Sequence, residues 1–144
     1  MTEQRQPSAE EQRLQNLTVE FRVLEGMVGE LQARIGAIDA YLRELTVAKT
    51  TIESLENLNV GDELLIPIGG SSFLRASIID KDNVVVGIGA GITVEKPVRD
   101  AIALLDSRIN EVSRARAEVE RQLVQVYQRM EQVRGEVQKI LGQT

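Results

Sequence analysis

The stretch of this sequence that most resembles a ligand-binding loop is Gly87-Ile88-Gly89-Ala90-Gly91, which begins as the Gly-x-Gly-x-x-Gly of a dinucleotide site begins. The third glycine of that pattern falls on Ile92, and no helical pattern follows directly, so a pyrophosphate would lack the helix N-terminus it needs. These glycines read as turn chemistry instead. Reagents for catalysis are also missing. The chain has no Cys and no His, which removes the thiolate nucleophile, the commonest transition-metal ligand and the usual near-neutral base. Acidic residues such as Glu20, Glu25, Glu30, Asp106 and Glu111 are spaced like the solvated faces of helices and form no nucleophile-and-base constellation. Neither enzymatic activity, a cofactor nor a metal centre is expected.

The balance of 22 acidic against 17 basic residues leaves a net charge of -5, which disfavours attraction to nucleic acid or to an anionic membrane. Residues 1–15 are polar, with none of the apolar stretch of a secretory signal, and no segment approaches the ~20 apolar residues of a membrane span. The absence of cysteine fits a reducing interior, and a soluble, intracellular chain is expected. Four aromatic residues, Phe21, Tyr41, Phe73 and Tyr127, are too few and too scattered for a base-stacking platform or an aromatic pocket.

Informative spacing lies in the apolar residues. Leu14, Leu17, Phe21, Leu24, Val28, Leu31, Ile35, Ile38, Leu42, Leu45, Lys49 and Ile52 alternate three and four apart, a heptad repeat with Leu14 at an a position and Leu17 at d. Ser8 and Glu11 have capping-box spacing, which puts the helix start near Ser8. The pattern returns over Ile102, Leu105, Ile109, Val112, Arg116, Val119, Leu123, Val126, Met130, Val133, Val137 and Ile140. Pro97 suits the first helical position, where its missing amide hydrogen is harmless, so the second helix is expected to begin there.

Between these segments the period changes. Leu64-Leu65-Ile66, Ile78-Ile79 and Val84-Val85-Val86 are short β-prone runs separated by turn chemistry, which predicts two consecutive β-hairpins with turns at Gly69 to Ser71 and Gly89 to Gly91. The expected organisation is an N-terminal coiled-coil helix over residues 1–59, two β-hairpins over 60–96, and a C-terminal coiled-coil helix over 97–144.

Two heptad segments of matched length around one insert are expected to pair antiparallel, each arm on the order of 60 Å long at ~1.5 Å per residue. Counting inward sets Leu14 opposite Ile140 and Ile52 opposite Ile102, so that Lys49 faces Leu105 and Arg116 faces Ile38. Each basic residue is expected to lay its aliphatic stem along the seam and lift its charge to solvent. The insert has no such cover. Its strands carry apolar side chains on both faces, and the remaining sequence is committed to the arms, so other subunits are expected to cover it. Leu64, Leu65, Ile66, Ile68, Phe73, Ile78, Val84, Val85, Val86 and Ile88 are the candidate interface residues.

This helix, double-hairpin, helix plan resembles an alpha-class prefoldin subunit of the archaeal type over the whole chain. The most specific segments are Leu65-Ile66-Pro67-Ile68-Gly69-Gly70-Ser71 and Val84-Val85-Val86-Gly87-Ile88-Gly89-Ala90-Gly91-Ile92-Thr93-Val94-Glu95-Lys96, because beta-class members carry only one hairpin there. Two departures are Pro97, where the family often has a Ser or Thr cap, and Leu74-Arg75-Ala76, which lacks a frequent proline. The resemblance implies a mostly α fold whose hairpins build an intersubunit β barrel. It also implies an ATP-independent holdase in which two such subunits join four beta-class partners, capture unfolded polypeptides at the arm ends and pass them to a group II chaperonin.

A coiled coil that grips unfolded chains must expose apolar groups near its free end. Val23 and Met27 fall outside the first seam, and Val124, Tyr127 and Leu141 outside the second. With the terminal seam residues Leu14, Leu17, Phe21, Val133, Val137 and Ile140, they make the candidate client site, in the manner of dispersed promiscuous surfaces. Gly26, Gly29, Gly36 and Gly135 weaken the helices in this region and are expected to let the ends bend. A scaffold of the same plan, without unfolded-protein binding, is the alternative; it needs only a sealed seam.

Overall fold

A computed structural model describes residues 5–142. Its elements run α1 (Ala9–Glu53), a single 3-10 turn (Ser54–Asn57), β1 (Glu63–Gly69), β2 (Ser72–Ser77), β3 (Asn83–Gly89), β4 (Ile92–Pro97) and α2 (Val98–Gly142). Each helix has 45 residues. Half of the expected capping box forms: the Glu11 amide donates to Ser8 Oγ at 3.1 Å. The Glu11 carboxylate turns to Arg5 at 3.9 Å instead of reaching back to the cap.

Both inner helix ends differ from expectation. Helix α1 stops at Glu53, where the Ser54 hydroxyl donates to the Thr51 carbonyl at 2.6 Å and the chain tightens into the 3-10 turn. Pro97 does not open α2; it closes β4 opposite Asn83, and the helix starts one residue later. A proline without an amide hydrogen is tolerated at the end of a strand, and the Val98 amide makes the next bond, to the Asp82 carbonyl at 2.9 Å.

The chain divides into two compact units. A terminal unit ends at Asp39 and resumes at Arg114; a central unit is Ala40–Ser113. In the terminal unit the heptads close into one core of Leu17, Leu24, Leu31, Val126 and Val133, with Phe21, Val28, Val119, Leu123, Met130, Val137 and Ile140 packed around it. Every buried member is a d residue, whereas the a residues stay half-exposed. Two helices cannot fully enclose both positions, because each knob has a single facing helix to enter.

In the central unit Leu45, Ala101, Leu105, Ile78 and Val86 are buried. Its strands form two separate two-stranded sheets, β1 with β2 and β3 with β4. The second hairpin repeats the first with an offset of 20 residues. Glu63 pairs with Ser77 and Asn83 with Pro97; Pro67 pairs with Phe73 and Gly87 with Thr93. Each hairpin has a register shift at the same place, after Pro67 and after Gly87. The closing bond repeats as well, Ile78 amide to Asp62 carbonyl at 3.0 Å and Val98 amide to Asp82 carbonyl at 2.9 Å. The turns agree too: Gly70 and Ser71 have φ of 57° and 58°, and Ala90 and Gly91 have 52° and 74°. Positive φ at both central residues is the type I′ pattern whose twist matches that of paired strands.

Equal backbones are covered unequally. Val86 of the second hairpin is buried at 9% exposure, and the Arg108 guanidinium donates to the Gly87 carbonyl. Its counterpart in the first hairpin, Ile66, is 43% exposed.

Candidate functional site

The candidate client residues of the terminal unit separate into three groups. Leu17 and Val133 are buried, Val133 completely, so they belong to the closed core and present no surface in this conformation. Leu14, Phe21, Val137 and Ile140 are half-exposed along its flanks. Val23, Met27, Tyr127 and Leu141 are exposed, as is Val124. The exposed members form no single patch. Met27 lines an open groove of about 410 Å³ floored by Leu24, Leu31 and Val126 and rimmed by Glu30, Arg34 and Arg129. Tyr127 lies on the other flank, where its hydroxyl accepts from the Gln32 amide at 3.1 Å. A second groove, about 320 Å³, runs past Phe21 and Val137.

Ion pairs fix how the helices of this unit run. Arg129 donates to both carboxylate oxygens of Glu20, at 2.6 and 3.0 Å, and Arg13 meets Glu136 at 3.6 Å. All four are g residues, the pairing that an antiparallel coiled coil requires. The Arg129 hydrogen bond holds the Glu20 carboxyl below its usual range.

The two basic residues in the seams behave differently from expectation. Arg116 does not lift its charge to solvent: it donates to Asp39 at 2.6 and 3.3 Å and also pairs with Glu120. Lys49, in the central unit, sits 2.6 Å from Asp106 and 3.7 Å from Glu53. Its ammonium is held above the usual lysine range, chiefly by the Asp106 hydrogen bond. In both cases the partner is the carboxylate immediately after the opposing d residue, Asp39 after Ile38 and Asp106 after Leu105. Laying one heptad against the other would have found these pairs.

Among the candidate interface residues, Leu65, Ile66, Ile68, Phe73, Val85 and Ile88 are exposed, and Leu64 and Val84 are half-exposed. Ile78, at the root of the first hairpin, and Val86, in mid-strand of the second, are instead buried within the chain and present no surface in this conformation. Leu74, Ile79 and Ile92 are exposed apolar residues that the sequence reading passed over; Ile79 is 88% exposed in the connection between hairpins. Of these only Ile79 lies in one of the β-prone runs read from the sequence; Leu74 and Ile92 fall on the return strands, outside those runs. So much apolar surface on both faces of a short hairpin is unusual for an isolated soluble chain.

No group of three or more potential metal ligands is found among the described residues. No helix among them is long and apolar enough to cross a membrane.

Heptad-paired helices and two tandem type I′ hairpins define a coiled-coil subunit with a β insert. The chain belongs to the prefoldin family, a chaperone family whose subunits form oligomers: a family model described as prefoldin subunit matches residues 24–143. Prefoldin subunit alpha of Methanopyrus kandleri is 32% identical over 123 residues, covering 85% of this chain and 78% of that protein. The Pyrococcus horikoshii prefoldin subunit alpha is 29% identical over 128 residues, covering 88% and 86%. A filamentous prefoldin of Methanocaldococcus jannaschii, solved by cryo-EM, matches with a TM-score of 0.71 at 26% identity, covering 81% of this chain and 97% of that one.

Proposed function

We propose that this chain is the alpha-class subunit of a cytoplasmic, ATP-independent holdase, joined through its β-hairpins to beta-class subunits in an intersubunit barrel. Two alpha and four beta chains is the expected composition. Unfolded polypeptides are the client and a group II chaperonin the recipient. The observation that carries the client assignment is the exposure of Val23, Met27, Tyr127 and Leu141 over a seam that is otherwise closed. A scaffold has no need of apolar residues on both flanks of its helices, whereas a binder of many sequences gains from small apolar sites with several approaches. Leu14, Phe21, Val137 and Ile140 add apolar edges along the grooves. Leu17 and Val133 join only where the helices part.

The test is light scattering from a chemically unfolded client, with this chain and a beta-class partner and without nucleotide. The complex should suppress aggregation at near-stoichiometric amounts, and serum albumin should not. Replacing Val23, Met27, Tyr127 and Leu141 together by Ser should leave assembly intact and raise the amount required several-fold. Full suppression by that variant would remove the client assignment, and no suppression by the wild-type complex would favour the scaffold.

A further inference from the structure

The 20-residue repeat gives both hairpins the same face, and the chain covers that face fully on only one of them. Cross-strand partners share a face, so Val84, Val86, Val94 and Lys96 stand together on the second hairpin, and Leu64, Ile66, Leu74 and Ala76 at the matching places on the first. On the second hairpin Val86 is buried and the other three are half-buried. On the first, cover stops at the rung nearest the root: Leu64 and Ala76 are half-buried, whereas Ile66 is 43% and Leu74 57% exposed. Hydrogen bonds follow the same division. Beyond its root the second hairpin is held by α2, whose Arg108 guanidinium donates to the Gly87 carbonyl. Pro67 occupies the matching place in the first hairpin, and among the described residues no side chain donates to its carbonyl. The first hairpin is tied at its root, from the Gly61 amide to the Ile78 carbonyl at 2.7 Å and from the Ile78 amide to the Asp62 carbonyl at 3.0 Å.

We infer that Arg108 is a positioning residue that presets the second hairpin, while the first hairpin, fixed only at its root, opens and closes in the free chain and takes its final place last. A two-stranded hairpin with one covered rung lacks the apolar contact that stabilises such a pair by itself. Local opening is easiest where buried contacts are few and backbone hydrogen bonds lie in solvent, which describes the first hairpin beyond Leu64 and Ala76. Opening the second must uncover Val86 and break the Arg108 bond. The inference rests on the reading of the hairpins as the assembly site and adds an order to it. A preformed surface associates faster than one that must order on contact, so the second hairpin engages first and the first closes afterwards.

Hydrogen exchange followed by mass spectrometry on the full chain, in dilute solution, tests the difference between hairpins. Amides of β1 and β2 beyond the Leu64–Ala76 rung should exchange at least about tenfold faster than those of β3 and β4 beyond Val84–Lys96. R108M keeps the aliphatic stem and loses the donor; it should speed exchange in the second hairpin at least about threefold. R108K, which keeps a donor, should recover part of that protection. Binding to a beta-class partner, followed by biolayer interferometry, tests the order. R108M should lower the association rate about threefold or more, with a smaller change in dissociation, and R108K should recover it in part. Equal exchange in the two wild-type hairpins, or an R108M that exchanges like wild type, overturns the inference. Faster exchange in R108M with an unchanged association rate overturns the assembly order. A wild type that shows the exchange difference and binds no beta-class partner removes the hub reading, and the order with it, while the preset second hairpin stands. Helical circular dichroism confirms that each variant is folded.

Discussion

In the terminal unit the apolar side chains of one helix meet those of the other, and the charges beside them meet across the same seam. In the hairpins of the central unit the apolar side chains meet mostly solvent. Leu24 is 8% exposed and Val133 0%, against 64% for Leu65 and 69% for Val85. Both regions have regular hydrogen bonding, so backbone satisfaction does not distinguish them. The difference is in stoichiometry. A heptad seam is completed by one partner helix, and the chain supplies both. A two-stranded hairpin with apolar residues on both faces needs cover above, below and at its open edges, and this chain supplies only the cover that buries Ile78 and Val86. One region finishes its folding alone and the other depends on company.

That contrast breaks most visibly at the hairpins. Leu65→Asp with Val85→Asp should raise the concentration for half-assembly with a beta-class partner by more than about a hundredfold, since each change puts a charge where an apolar contact is needed. Helical content should be almost unchanged, because neither residue touches the seam. A parallel loss of helicity and assembly, measured by circular dichroism and sedimentation on the same samples, would mean that the two regions are not independent.

The reverse substitution belongs in the terminal unit. Val133 is completely buried in the core, so Val133→Ala removes apolar contact and leaves a small cavity. A loss of about 2 kcal/mol in chemical unfolding of the helices is expected. Assembly through the hairpins should be preserved, and partner affinity falling with it would show that the seam supports the hub.

How much of this was legible depended on whether the partner of a residue is local, periodic or distant. The heptads announced both helices and their pairing, since Leu17, Leu24, Leu31, Val126 and Val133 occupy d positions that only another helix can cover. Gly69-Gly70-Ser71 and Gly89-Ala90-Gly91 announced the turns, because a type I′ loop demands left-handed residues. Harder were features set by a competition between neighbours. Pro97 suits a first helical position and a last strand position equally, and its pairing with Asn83 decided for the strand. The charges of Arg116 and Lys49 were misplaced because a seam position was read against its facing residue alone, whereas Asp39 and Asp106 stand one place further on. The heptads marked Val23 and Tyr127 as outside the seams, whereas in the hairpins no period separated Val86, which its own chain buries, from its exposed neighbour Val85.

Charge offers the smallest and most selective way to separate the regions. Glu20 is held by Arg129 in the terminal unit, and Asp80 by the backbone amides of Asp82 and Asn83 in the connection between hairpins. Both carboxyls are shifted below their ordinary values, Glu20 chiefly by the Arg129 hydrogen bond and Asp80 chiefly by the Asp82 amide. A carboxyl depressed in the folded state contributes stability above its unfolded pKa, roughly 4 for Asp and Glu, and loses that contribution as pH falls through the folded value. Melting of the helices should therefore drop on acidification from about pH 5 toward pH 3, in wild type more than in Glu20→Gln, by a few degrees at most for so exposed a pair. Glu20→Gln should begin slightly less stable at neutral pH, and the two curves should converge in acid. Asp80→Asn, whose side-chain oxygen can still accept both amide bonds and which loses only the Asn83 side-chain contact to Oδ2, should leave helix melting untouched at every pH. If Asp80→Asn shifts the helices as much as Glu20→Gln does, the two units are coupled more tightly than their separate cores require.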